Sequence, residues 1–142
     1  MTLRYLVDTS IVSAPVAKTP DPGVLEGLDK HGLECAIAAP VWYELTYGCR
    51  RLPKGKRRVA LESYLEEIVR GSFPILPYDE VAAKWHGQER ARLDAAGRPA
   101  PYVDGQIAAI AQVNGLVLVT ANVRDFTCFR ELKIENWMRT AR

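Results

Sequence analysis

The sequence predicts one α/β domain, a parallel sheet flanked by helices. Short apolar runs alternate with longer segments whose apolar residues recur at helical spacing. Strands covered on both faces read as unbroken apolar runs, and their alternation with helices describes parallel strands joined by right-handed crossovers. The 142 residues are 48% apolar and 25% charged, globular composition of about one ordinary domain's length. No repeat, linker or shift in composition divides them, so residues 1–142 are read as a single unit.

Each element has a local reason. The run from Leu3 to Val7 forms the first strand and stops at Asp8-Thr9-Ser10, which suits a helix start. Asp21-Pro22 joins an N-cap to the residue best tolerated at the first helical position, with Val24, Leu25 and Leu28 as the buried stripe. Cys35 to Ala38 is a second strand. Pro40 opens a helix carrying Val41, Glu44, Leu45 and Gly48, and Pro53 marks its end. Leu61, Tyr64, Leu65 and Ile68 stand at i, i+3, i+4 and i+7 and predict a further helix. Phe73 to Leu76 gives a third strand, and Asp79 caps a long helix containing Val81, Ala82, Trp85, Leu93 and Ala96. Gly97 to Pro101 is a loop, Val103 to Val113 a helix, and Leu116 to Val119 a fourth strand. A fifth, edge strand is placed around Leu132 to Ile134.

Composition narrows the function. Nineteen Lys and Arg against 17 Asp and Glu leave a formal charge of +2, which excludes binding by bulk charge but not a local basic surface. No apolar run reaches the roughly 18 residues of a membrane span, and Met1-Thr2-Leu3-Arg4 lacks a signal-peptide core, so a cytoplasmic location is expected. Cys35, Cys49 and Cys128 are odd in number and widely spaced, and His31 and His86 are isolated. Neither a disulfide framework nor a soft-metal site is expected.

The acidic residues carry the chemistry. In an open α/β sheet, ligands bind beyond the carboxyl ends of the strands. Asp8 directly follows the first strand and Asp125 lies shortly after the fourth. Glu44 stands three residues after Val41 and four before Gly48, while Asp104 precedes Ile107, Ala108 and Ala111 by three, four and seven. Both therefore share a face with residues expected to pack inward. Two unit charges about 5 Å apart repel by roughly 3 kcal/mol at an effective dielectric of about 20, so converging carboxylates require protonation, basic partners or cations. Oxygen donors without His or Cys favour a hard ion, Mg²⁺ or Mn²⁺, and such ions serve displacement at phosphorus. Taken singly, Asp8 and Asp104 could cap helices, Asp125 could cap a turn, and Glu44 could be a partly exposed helix residue. Four acids directed at one crevice point instead to phosphodiester hydrolysis.

Four blocks then resemble a known family. Val7-Asp8-Thr9-Ser10, Glu44-Leu45-Thr46-Tyr47-Gly48, Asp104-Gly105-Gln106-Ile107-Ala108-Ala109 and Thr120-Ala121-Asn122-Val123-Arg124-Asp125-Phe126 resemble, in order and spacing, the motifs of PIN-domain ribonucleases. Among these, the chain looks most like VapC-type toxins of type II toxin–antitoxin pairs, including the FitB-like branch. The resemblance covers essentially the whole chain. It implies a three-layer α/β/α domain with a central parallel sheet of four to five strands. It also implies a homodimer that cuts RNA to leave a 5′-phosphate and a 3′-hydroxyl, and a cognate antitoxin whose C-terminal segment fills the groove. Carried over by position, Asp8, Glu44, Asp104 and Asp125 are the catalytic acids and the ligands of one or two Mg²⁺ or Mn²⁺ ions. Thr120 and Asn122 support them, and Thr9 and Ser10 start the helix behind Asp8. Ala121 departs from the pattern, since many relatives carry Arg there; the metal ligands are unaffected.

Substrate contacts are sought among basic residues. Arg50, Arg51, Lys54, Lys56, Arg57 and Arg58 crowd one turn beside the Glu44 helix, either a phosphate track or a solvated turn. Arg98 with Tyr102, just before Asp104, could give a phosphate contact and a stacking ring, or a loop residue and a core-edge aromatic. Trp42 and Tyr43 cannot both face the core with Glu44, so one of them is expected on an interaction surface. Two other functions fit the broad pattern. One is a PIN-like binding module with an idle metal site, which the presence of all four acids argues against. The other is a receiver-like phospho-accepting domain, which would want an acidic pair after the first strand where only Asp8 stands.

Overall fold

The computed structural model describes residues 2–139; Met1 and residues 140–142, the ends of the expected 1–142 domain, lie outside the described residues. Five strands, β1 (Tyr5–Val7), β2 (Cys35–Ala38), β3 (Ile75–Leu76), β4 (Val117–Val119) and β5 (Ile134–Glu135), form one sheet in the order β3-β2-β1-β4-β5. Every pairing is parallel. The helices are α1 (Thr9–Val12), α2 (Pro22–His31), α3 (Ala39–Arg50), α4 (Lys56–Ser63), α5 (Arg70–Ser72), α6 (Glu80–Ala95) and α7 (Tyr102–Val113). They cover both sides of the sheet, giving the three-layer arrangement.

The strands form where apolar side chains are continuous. All of β1 and β2 is buried, as central parallel strands require. Leu6, Val7, Ile37, Ile107, Ile110 and Leu118 are among the largest side chains sealed in the core. The helix starts follow their caps. Asp21 accepts from the Gly23 and Val24 amides at 2.8 and 3.2 Å with Pro22 in the first turn, and Asp79 accepts from Ala82 N–H at 3.0 Å. Among the described residues no helix is long and apolar enough to cross a membrane. The three cysteines are free thiols, Cys35 and Cys49 buried in the core.

The order of strands places the site. The chain winds outward from β1 to β3, then crosses back to set β4 on the other side of β1. That reversal opens a crevice at the carboxyl ends of β1 and β4. Val7 pairs with Val119, so the next residues, Asp8 and Thr120, face each other across the switch point.

Three expectations about faces are corrected. Leu25 is 43% exposed, because α2 turns its glycine side inward and Trp137 packs there; a side chain at Gly27 would meet the indole Cδ2 at 2.8 Å. Ile68 is 53% exposed, because Tyr64–Val69 is a π-helical segment between α4 and α5. The wider turn carries Leu65 and Val69 inward in place of Ile68. Gly48 is exposed, the buried stripe of α3 being Val41, Leu45 and Cys49. Glu44 thus stands at the edge of that stripe, half-buried.

Candidate active site

Asp8 is the buried floor of the crevice, 5% exposed. Its carboxylate does not cap α1. Instead Oδ2 accepts the hydroxyl of Thr120 at 2.7 Å. The Asp8 amide donates to the Val119 carbonyl at 2.9 Å, so sheet geometry fixes the residue from behind. Thr9 joins the second acid: its hydroxyl donates to Glu44 Oε1 at 2.8 Å, linking the start of α1 to α3. Ser10 Oγ accepts from the Ala121 amide at 3.1 Å, and Asn122 takes part through its backbone, donating to Thr120 Oγ1 at 3.0 Å.

Asp104 enters from α7. It lies in the first turn of that helix, half-buried. Its neighbour Gly105 is buried against the His86 ring of α6; an added Cβ would collide with the imidazole, whose Cδ2 would be 2.7 Å away. Only glycine permits α7 to approach α6 this closely, and that approach sets where Asp104 stands. Asp125 ends a short 3-10 turn, Val123–Asp125, and is exposed, while the next residue, Phe126, is buried in the core.

Electrostatics ties the four acids together. Asp104 is pushed up to about 6, first by burial and then by the charges of Asp125, Asp8 and Glu44. Burial also raises Asp8, with Asp125 adding to the rise, against the Thr120 hydroxyl and the Thr9 amide, which favour its carboxylate. Among the described residues none of the ion pairs engages Asp8, Glu44, Asp104 or Asp125. Nor do three His, Cys, Asp or Glu side chains stand ready as a cation cage among those residues. Like charges with nothing between them repel. The arrangement is therefore a concentration of negative charge in which no acid is held in an ion pair.

The basic candidates divide. Arg50 pairs with Glu62 at 3.2 Å, and Arg58 is held by Glu62 at 3.0 Å and by the Leu52 carbonyl at 3.5 Å. Arg51 lies over the Tyr47 ring at 5.4 Å, and Lys54, Lys56 and Arg57 are exposed. Arg98 lines the same cleft as Asp125. Of the two aromatics on α3, Trp42 is half-buried, whereas Tyr43 is exposed and stacks on Tyr47 at 6.0 Å.

Sequence reasoning missed the residues that brace the site from α6. Buried Glu89 takes Arg92 in two bonds of 2.7 and 2.8 Å and accepts the Arg130 amide at 2.9 Å. Arg92 also donates to the Cys128 carbonyl at 3.0 Å. The turn after Asp125 is thereby fastened to α6. His86, also buried, sits 2.8 Å from Tyr78 Oη. The signal was present: Ala82, His86, Glu89 and Leu93 fall at i, i+4, i+7 and i+11, two polar residues on an inward stripe.

Known proteins share this plan. The tRNA(fMet)-specific endonuclease VapC of Shigella flexneri is 32% identical over 136 residues, covering 95% of this chain and 98% of that protein. The crystal structure of FitAcB from Neisseria gonorrhoeae superposes with a TM-score of 0.85 at 30% identity, over 93% of this chain and 96% of the other. DNA-bound VapBC from Salmonella typhimurium gives a TM-score of 0.82 at 30% identity, over 96% and 99%. The family model described as the PIN domain matches residues 5–132. With that match the receiver-like alternative falls, and the chain belongs to the PIN domain family.

Proposed function

We propose that this chain is a metal-dependent endoribonuclease, the toxin of a toxin–antitoxin pair, with Asp8, Glu44, Asp104 and Asp125 as its catalytic acids. The observation that carries the reading is the gathering of the four acids at the carboxyl ends of β1 and β4, with Asp8 bonded to Thr120 and Glu44 to Thr9 and with their charges and that of Asp125 adding to the rise that burial gives Asp104. Such a group of carboxylate oxygens suits a hard cation, Mg²⁺ or Mn²⁺, and Asp8, Glu44, Asp104 and Asp125 would hold it. Such an ion supplies charge neutralisation at phosphate oxygens and activation of the attacking water. The chain's own part is placement. Thr120 keeps the Asp8 carboxylate turned into the crevice, Thr9 does the same for Glu44, and Asn122 fixes the Thr120 hydroxyl through its amide. Arg50, Arg51, Lys54 and Arg98 supply positive charge for the RNA backbone. Relatives named as ribonucleases and toxins, and neighbours solved as FitAcB and VapBC, support the RNA substrate and an antitoxin partner. A homodimer and a cytoplasmic location belong to the same proposal.

The test is cleavage of a mixed cellular RNA pool with 5′ ends sequenced, in Mg²⁺, in Mn²⁺ and in excess EDTA, beside Asp104→Asn. Discrete cuts in either ion, absent in EDTA and in the variant, are expected. Full activity in Asp104→Asn would refute the assigned site.

A further inference from the structure

We infer that the cleft beside Asp125 is a nucleotide subsite, in which Arg98 and Arg124 hold an RNA phosphate and Tyr102 stacks the adjoining unpaired base. This rests on the ribonuclease reading above and names how that site takes its substrate. The cleft encloses about 250 Å³ between the Arg98–Pro101 loop and the turn that carries Arg124 and Asp125.

Three features assign it. First, the arginines are uncommitted. Arg58 and Arg92 are each held by a carboxylate and a carbonyl, whereas neither Arg98 nor Arg124 takes part in an ion pair among the described residues. Two such guanidiniums in one cleft outweigh the single charge of Asp125 and present forked donors to an outside anion. Second, the wall is stiff. Pro99 and Pro101 both line it, and fixed proline φ angles lower the entropy cost when a ligand orders the loop.

Third, the ring is braced and open. Tyr102 begins α7 directly after Pro101 and two residues before Asp104, and it is 51% exposed. His86 lies 5.0 Å from its ring and the Arg90 guanidinium 5.7 Å. Both belong to α6 at i and i+4, so both support the ring from one helix face. His86 is itself buried and fixed against Tyr78. An exposed ring held this firmly from behind makes a stacking platform. A base can stack there only when it is out of a duplex, so the subsite selects single-stranded RNA.

The test is fluorescence anisotropy in Mg²⁺ with a labelled 15-nucleotide random single-stranded RNA and a 15-base-pair RNA duplex, using Asp104→Asn to suppress cutting. Adding Tyr102→Ala should weaken single-strand binding by roughly 10-fold or more. Duplex binding should not change, and Tyr102→Phe should restore the single-strand affinity. The pair Arg98→Ala with Arg124→Ala, both exposed positions, should lower the slope of log K against log salt by about 0.7, the value for one phosphate that is no longer neutralised. A purely structural role for these residues would not move that slope. Unchanged affinity and slope in both variants, with wild-type protein cutting RNA, would overturn the subsite. Wild-type protein that binds single strands through Tyr102 yet cuts nothing in Mg²⁺ or Mn²⁺ would instead keep the subsite and refute the nuclease.

Discussion

The two halves of the acidic crevice are built differently. On the sheet side, Asp8 and Thr120 are 5% and 0% exposed and are joined at 2.7 Å across the β1–β4 gap. On the far side, Asp125 is exposed on a short turn, held through the core contact of Phe126 and the Glu89–Arg92 clamp on the residues that follow. Asp104 stands between, half-buried and raised to about 6. The energetic cost of the site therefore falls unevenly. The sheet half is preorganised, and burial opposes the charge of Asp8 there and of Asp104 beside it; the turn half is exposed and is placed by contacts behind it.

Neutralising the acid between the halves should have the largest effect. Asp104→Asn is expected to cut turnover by at least roughly 10³-fold while raising the melting temperature of metal-free protein at pH 7. The sign follows from the shift: the folded value is about 6 against an ordinary 3.8, so the fold disfavours the carboxylate form. That penalty is nearly complete above about pH 6 and is relieved as pH falls through about 4, below which both states are protonated. The gap in melting temperature between variant and wild type in EDTA should therefore be widest above pH 6 and close below pH 4. A gap independent of pH would mean that charge at Asp104 is not what the fold resists.

Thr120→Val comes next. It removes the hydroxyl that Asp8 relies on while keeping the shape of a sealed side chain. Divalent-cation affinity should fall about 10- to 100-fold, the usual effect of removing a group that orients a ligand. Stability should fall by about 1–3 kcal/mol, since a buried carboxylate loses its partner. Calorimetric titration with Mn²⁺ and a urea melt separate the two effects. Equal Mn²⁺ affinity in variant and wild type would break the contrast between the halves.

Much of this division was legible in the sequence. β1, β2 and β4 stand out because strands covered on both faces must be apolar throughout. Asp8 and Asp125 stood out at strand ends and Asp104 by its register with buried Ile107, Ala108 and Ala111, whereas Glu44 was read from a face that Gly48 does not share. Glycine hid the packing of α2, since a face that admits Trp137 through Gly27 leaves no apolar mark. The π-helical turn hid Val69 behind Ile68, because regular periodicity has no place for an added residue. Arg98 and Arg124 meet only once α7 and β4 have brought their loops together, which no local pattern records.

The turn half can be probed from behind through Glu89. Its carboxylate lies below the usual range because Arg92 and the Arg130 amide bond to the charged form, outweighing burial. Glu89→Gln should destabilise the fold by about 2 kcal/mol and lower turnover modestly, because Asp125 loses its anchor without losing its charge. A depressed carboxylate stabilises the fold above its unfolded value and ceases to do so as pH falls through the folded one, so wild type should lose its advantage over Glu89→Gln in acid. A wild-type advantage that persisted in acid would exclude the charged clamp as its source.

Arg50→Ala should have the smallest effect on stability. Its pairing with Glu62 at 3.2 Å joins two well-exposed side chains, 63% and 41% accessible. Exposed pairs contribute little once screening and side-chain entropy are counted, so the melt should shift by less than about 0.5 kcal/mol. Arg58 also holds Glu62, leaving that carboxylate partnered when Arg50 is removed. Any fall in RNA affinity with unchanged stability then means that Arg50 itself meets a phosphate, and it is read as a shallower salt dependence. An unchanged salt dependence would reduce the charges around residues 50–58 to a solvated turn and leave RNA placement to the cleft beside Asp125.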